Sequence, residues 1–264
     1  MNDASDRSPK KILVTGAAAG LGEAIVLGLA ARGATIGVCD IDEAGADRVA
    51  TLCKAAGAAD ASIIAVDLSN PDGPEQALDR ALGMFGRLDG VVNNAGFATV
   101  EVFQEISAKA WDRTFAINVR AVALMCSAVG KVMAKAGRGR IVNITSPAAR
   151  MALPNYAHYA ASKAAVDSIT RTAAIALAPH GVTVNSVAPG MMDTMMQETT
   201  EQMMAVADGR DDLQSYLDER TARIPVGRRT DPVEMAGLVI WLLLDAPDYL
   251  TAERLNGSGG LDRD

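Results

Sequence analysis

The sequence predicts an α/β fold: a single-domain, doubly wound (Rossmann-type) parallel sheet of about seven strands with helices on both faces. Three observations predict it. Short apolar runs alternate with longer helical patterns along the 264 residues. The runs are near-continuous in Val, Ile and Leu without polar alternation, as strands covered on both faces require. A Gly-rich turn follows the first run and opens directly into the first helical pattern. Repeated β-α units imply right-handed crossovers and therefore parallel strands.

Taken in order, residues 11–15 (Lys-Ile-Leu-Val-Thr) read as a buried first strand, and a helix follows the glycines to about residue 32. Residues 34–39 read as the second strand, 63–66 as the third, 88–92 as the fourth, 140–144 as the fifth and 182–187 as the sixth. Helical patterns fill 43–56, 74–85, 108–135 and 156–178. Residues 191–223 have no clear β-α place and read as a lid over a substrate site. No repeat, linker or low-complexity stretch divides the chain, so residues 1–264 are expected to form one domain, with polar residues 1–9 as a flexible start.

Bulk properties narrow the function. Hydrophobic residues make up 49% and charged residues 22%, which suits a packed globule. A formal net charge of −7 argues against nucleic-acid phosphates and anionic lipid as partners, and 4% aromatics are too few for base stacking. Cys39, Cys53 and Cys126 are scattered and odd in number, which indicates buried thiols in a reducing compartment rather than disulfides or a thiolate metal site. His158 and His180 are the only histidines, too few for a multi-His zinc site. No signal-peptide core stands at the start, and the apolar stretch 238–244 is too short to cross a bilayer. The expectation is a soluble, cytoplasmic protein.

The glycine turn, Thr15-Gly16-Ala-Ala-Ala19-Gly20-Leu21-Gly22, has the spacing G-x-x-x-G-x-G. Glycines let the backbone turn sharply and come close to a phosphate, and the helix N-terminus behind them offers unpaired N–H groups. A pyrophosphate suits that place. Asp40 ends the second strand, where a carboxylate can accept from ribose hydroxyls and would repel a 2′-phosphate. Its neighbours Cys39, Ile41 and Asp42 bring no positive charge, and Ala19 brings none either. This favours NAD over NADP; a turn or helix-cap role is the other reading of Asp40. Asp67, after the third strand, could reach the adenine edge or serve as a cap.

Tyr159 and Lys163 stand four residues apart in a helical run, on one helix face. The ammonium should favour the phenolate and lower a pKa that is about 10 when free, giving a group able to exchange a proton with an alcohol or carbonyl. Alone, Tyr-x-x-x-Lys could equally be a surface Tyr covering a Lys stem.

Together these residues resemble the short-chain dehydrogenase/reductase family across nearly the whole chain. The motifs are Thr15-Gly16-x-x-x-Gly20-x-Gly22, Asp67, Asn93-Asn94-Ala95-Gly96, Asn118, Ser146, Tyr159-x-x-x-Lys163 and Asn185-Ser-Val-Ala-Pro189-Gly190. The resemblance implies that Tyr159 is the general acid/base and that Lys163 lowers its pKa and binds the nicotinamide ribose. It implies that Ser146 polarises the substrate oxygen, with Thr145 as the adjacent alternative, and that Asn118 holds a water for proton relay. A buried, satisfied amide is the other reading of Asn118. Cofactor contacts are implied at Gly16, Ala19, Gly20, Leu21, Gly22, Asp40, Ile41, Asp67, Leu68, Asn94, Ala95, Gly96, Pro189, Gly190, Met192 and Thr194, besides Tyr159 and Lys163. Asn93 would support the fourth strand, and Val187 would lie below the nicotinamide. A homotetramer is implied as well.

Substrate choice is expected in the lid. Met191, Met192, Met195, Met196, Met203 and Met204 lie in it, flexible thioethers suited equally to an apolar pocket wall or to ordinary helix packing. Pro147, Met151, Asn155 and Tyr156 precede Tyr159 and could touch substrate. Arg150 is expected at the solvated surface, and His158 is expected to take no catalytic part. The terminal run Leu255-Asn-Gly257-Ser258-Gly259-Gly260 departs from the family's Val-Asp-Gly-Gly-like ending, so the last strand should be weak. These readings point to an NAD-dependent oxidoreductase for a secondary alcohol or ketone, apolar or cyclic. The alternatives are a 3-oxoacyl thioester reductase of the same family and a non-catalytic nucleotide-binding regulator.

Overall fold

A computed structural model describes residues 8–262; most of the expected flexible start, residues 1–7, lies outside them. Seven strands form β1 (Lys11–Thr15), β2 (Thr35–Asp40), β3 (Asp60–Ala65), β4 (Gly90–Asn93), β5 (Gly139–Ile144), β6 (Val182–Pro189) and β7 (Arg254–Gly257). They make one sheet in the order β3-β2-β1-β4-β5-β6-β7, and every pairing is parallel. The helices are α1 (Gly20–Ala30), α2 (Glu43–Ala55), α3 (Gly73–Phe85), α4 (Ala108–Phe115), α5 (Ala121–Ala136), α6 (Ala157–Leu177), α7 (Met195–Ala207), α8 (Leu213–Ala222) and α9 (Pro232–Leu244).

The strands carry two cores because their side chains alternate. On β1, Ile12 and Val14 face the layer of α1, α2 and α9, where Ile25, Val26, Leu29, Val49, Val239 and Leu242 are buried. Leu13 faces the other way, with Val91 and Ile141, into the layer of α3, α5 and α6. Gly37 on β2 is needed because a Cβ there would stand 3.0 Å from a Leu13 methyl and 3.1 Å from one of Ile64.

Several boundaries differ from the sequence reading. The third strand begins earlier, at Asp60, and the fourth is displaced to Gly90–Asn93, because hydrogen-bonded register with β2 and β1 decides the ends. The long helical run 108–136 is broken by a π-turn, Ala116–Arg120, that contains Asn118. At 29 residues and a mean hydropathy of 1.5, Ala108–Ala136 is long and apolar enough to cross a membrane by length and composition. Here it lies on the sheet, with Val122, Met125, Cys126, Val129 and Met133 in the second core. The lid is ordered as α7 and α8, each with a side-chain N-cap, Thr194 and Asp212.

The last strand is not weakened as expected. All four β7 residues pair with β6. The missing Cβ of Gly257 is replaced by Met235 of α9, whose sulfur would sit 2.5 Å from it. Ser258 is buried and its Oγ accepts the Asp262 N–H at 3.1 Å.

Candidate active site

At the carboxyl ends of β1 and β4 the chain builds a cradle. Ala19, the residue before α1, is extended (φ −156°) and offers no side-chain cap, so the first-turn N–H groups of α1 are left for another acceptor. Gly16 and Gly20 both have left-handed backbone, φ 63° and 57°, where side chains are disfavoured. A Cβ on Gly16 would lie 2.7 Å from Ala95 Cα, and one on Gly22 would lie 2.0 Å from Gly16 O. The Asn94 side chain donates to Thr15 O (3.0 Å) and Gly16 O (2.9 Å), while Thr15 Oγ1 accepts the N–H groups of Asn94 and Ala95. Two strand ends are thereby stitched into one rigid floor. A tight backbone curve with free helix amides fits a pyrophosphate.

Asp40 closes one side of the cradle. Its Oδ2 accepts the Ala18 N–H at 2.9 Å and its Oδ1 the Asp42 N–H at 3.0 Å, which aims the carboxylate at the glycine loop. The sequence reading found no positive charge near the glycine loop at this point, and the fold brings one to Ala18, where it is paired with Glu23. Arg48 of α2 donates to Ala18 O at 3.0 Å while Glu23 of α1 holds its guanidinium in two hydrogen bonds of 2.7 and 2.8 Å. One signal could have found it: Arg48 lies two helical turns after the Asp42 cap. Ile41 is exposed beside Asp40. Asp67 Oδ1 accepts the Ser69 N–H at 2.8 Å, which is the cap-like role, and Leu68 packs on the second core.

The proton-transfer candidates meet at the ends of β4 and β5. Tyr159 stands beside the Ser146 hydroxyl, whose Oγ accepts the Ala148 N–H at 3.2 Å. Thr145 is buried next to Asp167, away from this pair. Lys163 Nζ lies 5.5 Å from the centre of the Tyr159 ring and donates to Ile144 O at 2.9 Å. A Cβ on Gly96 would come within 3.8 Å of that Nζ and 3.7 Å of Asn118 Oδ1, so Gly96 leaves room for both.

Here the expected lowering of the phenol pKa is corrected. Burial pushes the Tyr159 phenol up to about 12, opposed by the Ser146 hydrogen bond. Burial also pulls the Lys163 ammonium down to about 8, opposed by Asp167. The cause is the same for both groups, since loss of water disfavours whichever form is charged. The i,i+4 spacing correctly places the two on one face, yet desolvation is the largest influence on each.

Asn118 is fully buried with its amide satisfied: Oδ1 accepts the Phe97 N–H at 2.7 Å and Nδ2 donates to Phe97 O (2.9 Å) and Ser162 Oγ (3.0 Å). Ser162 Oγ in turn donates to Tyr159 O at 2.7 Å. The π-turn thus ties the loop after β4 to α6. Asn93 Nδ2 donates to Asn143 Oδ1 at 2.8 Å, supporting β4 as expected. His158 is buried; its Nδ1 accepts the Tyr159 N–H at 2.8 Å and burial lowers its pKa.

Opposite this group, Pro189 ends β6 and Gly190 sits where a Cβ would meet Ser258 Cα at 2.9 Å. Val187 is buried beneath them. Thr194 caps α7, and its methyl would stand 3.5 Å from a Cβ on Gly20, so the lid begins over the glycine loop. Met192 bridges to Thr230 and packs on the first core, and Met191 is half-buried.

The apolar wall differs from the expected one. Met195 and Met196 are exposed (80% and 47%), as is Met151, because they lie on the outer side of the α7 entry and of the loop before α6. The cluster that reaches Tyr159 consists of Tyr156, Val100, Met204, Ala205 and Tyr216, with Ala98 and Leu153 at its edge. Of the lid methionines, Met204 belongs to that cluster. A cleft of about 550 Å³ beside it is lined by Val100, Glu101, Val102, Glu105, Gln202, Met203 and Val206. Asn155 ties the loop to the lid through Asp208 at 2.7 Å, and Pro147 is buried behind Ser146. Arg150 is not simply solvated: it lies 3.8 Å from Asp262. Val100, Tyr216 and Met204 carried no motif, and tertiary packing alone brings them together.

Known proteins share this arrangement. A family model described as Enoyl-(Acyl carrier protein) reductase matches residues 16–262. The chain is 36% identical to a cyclopentanol dehydrogenase of Comamonas sp., covering 95% of this chain and 96% of the relative. It is 35% identical to a 3-oxoacyl-[acyl-carrier-protein] reductase of Synechocystis sp., covering 94% and 95%. The solved structure of an NAD+-bound xylitol dehydrogenase superposes with a TM-score of 0.91 at 30% identity, covering 95% and 98%. With its motifs in order on this sheet and relatives matched from end to end, the chain belongs to the short-chain dehydrogenase/reductase family, a family of oxidoreductases.

Proposed function

We propose that the protein is an NAD(H)-dependent oxidoreductase interconverting a secondary alcohol and its ketone, with an apolar or cyclic substrate. The observation that carries the reading is the meeting of Tyr159 with the Ser146 hydroxyl that follows β5 and with Lys163 on the next turn of α6, beside the strand ends that form the cradle. The residues fit a dinucleotide on two counts, the uncapped α1 N-terminus and the glycine curve that any Cβ would fill. The NAD+-bound neighbour supports a nicotinamide cofactor, and Asp40 supports NAD over NADP.

When bound, nicotinamide supplies or accepts the hydride. The chain does the rest. Ser146 Oγ orients the substrate oxygen, and Tyr159 Oη gives or takes its proton. A phenol pushed up to about 12 is scarcely ionised at neutral pH, so positive charge has to stabilise its phenolate. Lys163 carries that charge beside the ring. Lys163 is buried and Tyr159 half-buried, which limits the access of bulk water to the proton.

A second reading, 3-oxoacyl thioester reduction, is favoured by the Synechocystis relative. Asp40 opposes the 2′-phosphate of NADPH, and Glu101 and Glu105 on the cleft oppose an acidic carrier protein. The test is turnover of a panel of cyclic and linear alcohols, and of a 3-oxoacyl thioester, with each nicotinamide. NADH formation from an alcohol is expected. Faster NADPH oxidation by the thioester would replace the first reading with the second. The proposal extends to a cytoplasmic homotetramer, checked by light scattering on the purified protein and by fractionation.

A further inference from the structure

The departure at the C-terminus has a consequence beneath the active site. Arg254 of β7 extends under the end of β5, with its side chain 9% exposed. Its Nη2 donates to the main-chain oxygen of Ser146 at 3.0 Å. Its Nε lies 3.3 Å from Asp167 and its Nη1 lies 2.6 Å from Asp262. The tail is folded back to deliver Asp262: the Asp262 N–H donates to Ser258 Oγ and the Asp262 carbonyl accepts from Asn256 Nδ2 at 3.0 Å. Arg150 stands 3.8 Å from the same carboxylate. Two arginines and two aspartates thus form a charge-balanced cluster, buried except for the more exposed Arg150.

We propose that Arg254 is a positioning residue for both Ser146 and Lys163, fixing the peptide that carries the Ser146 hydroxyl and holding Asp167 ionised one helical turn past Lys163. The proposal rests on the oxidoreductase reading of Ser146 and Lys163. Buried charges are costly and do not by themselves stabilise a fold, so a quartet lodged here needs a local reason. The geometry supplies two. The Ser146 carbonyl is clamped by Arg254, so the backbone that carries Oγ is fixed beside Tyr159. Asp167, on the same face of α6 as Lys163, is the carboxylate that favours the ammonium against burial. Burial pushes the Asp167 carboxyl up, and the charges that oppose this are Arg254 first, then Arg150 and Arg171, with Lys163 facing it as well. Without Arg254, Asp167 takes up a proton and Lys163 loses its counter-charge.

The test compares Arg254→Met, Arg254→Lys and Asp167→Asn with the unaltered protein. Each is assayed for Tm, for kcat and KM, and for NADH binding by fluorescence as a function of pH. Arg254→Met is expected to lower kcat about tenfold or more while KM changes less, since misplacing Ser146 affects the transition state most. Arg254→Lys should recover part of that loss. Arg254→Met and Asp167→Asn should each move the basic midpoint of NADH binding to lower pH, by about one unit, because Lys163 then loses its proton earlier. If Arg254→Met does not fold, Asp167→Asn and Arg254→Lys still carry the test. An unshifted midpoint in Asp167→Asn, or a kcat loss that merely follows Tm and is not eased by lysine, overturns the proposal. Failure of the oxidoreductase reading is separate: it shows as no turnover of any alcohol, and the NADH midpoint then decides the role of Arg254 alone.

Discussion

Tyr156 lies face to face with Tyr159, ring centres 4.4 Å apart and planes inclined by 23°. Tyr156 is buried in one cluster with Met204 and Ala205 of α7 and Tyr216 of α8, so the lid reaches the candidate acid/base through this stack. The stack uses the ring of Tyr159 and leaves the hydroxyl for Ser146. The two roles can therefore be separated by chemistry.

Tyr159→Phe keeps the ring and removes only the hydroxyl that carries the proton. Turnover should fall by about 10²–10⁴, the usual contribution of a positioned acid/base. Tm should change little and NADH binding should persist. Steady-state kinetics beside a thermal melt is the measurement, and near-normal turnover in the variant would end the assignment of Tyr159.

The glycine loop yields a contrast between two substitutions. In Gly22→Ala the new Cβ would stand 2.0 Å from Gly16 O, inside the cradle floor, and backbone cannot move aside cheaply. In Gly33→Ala the φ of 72° is strained, but nothing lies within 4 Å. Gly33→Ala should lose about 1–2 kcal/mol and bind NADH normally. Gly22→Ala should lose more stability and weaken NADH binding at least about tenfold, which is about 1.4 kcal/mol. Calorimetry on both proteins decides the point; equal NADH affinities would show that the loop does not cradle a phosphate.

What could be read from the sequence follows the range of the interactions. The apolar runs gave all six expected strands and the parallel sheet, since burial on both faces leaves a one-dimensional trace in Ile12–Val14 and Val184–Val187. Gly16 and Ser146 stand just past the ends of β1 and β5, and Tyr159 and Lys163 on the first turns of α6, all places marked by local sequence motifs. The lid was not legible as helices. Met195–Ala207 buries Thr200, Glu201, Met204 and Ala205 against partners far away in sequence, and nothing local announces them. Arg48 and Arg254 were missed because each acts across the fold, 30 residues from Ala18 and 108 from Ser146. The pKa of Tyr159 was misjudged because helix spacing reports which charges are near and says nothing about how dry the site is.

Dryness itself is measurable through Lys163. Its ammonium is pulled down to about 8 from 10.5 by burial. Between those values the unfolded chain holds more protons than the folded one, so this group makes stability rise with pH across that window; below about 8 its penalty is constant. Lys163→Met lacks the dependence. The Tm difference, variant minus parent, should be steady from pH 6 to 7.5 and shrink from about pH 8 to 10. Tyr159 acts with the opposite sign only above pH 10, where its phenol ionises in the unfolded chain first. A difference that stays flat to pH 10 would mean that Lys163 is not desolvated.

The lid can be tested at its buried charge. Glu201 on α7 has no exposure and is gripped by Arg220 of α8 (3.0 Å) and by Arg229 before α9 (2.7 Å). Glu201→Gln keeps the shape and leaves two arginines facing a neutral amide. Breaking such a pair by removing one partner costs about 3–5 kcal/mol. The loss should be local, because α7 and α8 pack on each other and on Tyr156 rather than within either sheet-facing core. Limited proteolysis should therefore cut residues 195–222 before any loss of the global melt. Through Tyr156 the candidate substrate wall would loosen, raising KM for the alcohol several-fold with a smaller change in NADH affinity, since the glycine cradle sits on β1 and β4. A variant with unchanged protease resistance and KM would show that the α7–α8 unit is held by its apolar contacts alone, and that the Glu201 grip contributes nothing to closing the site.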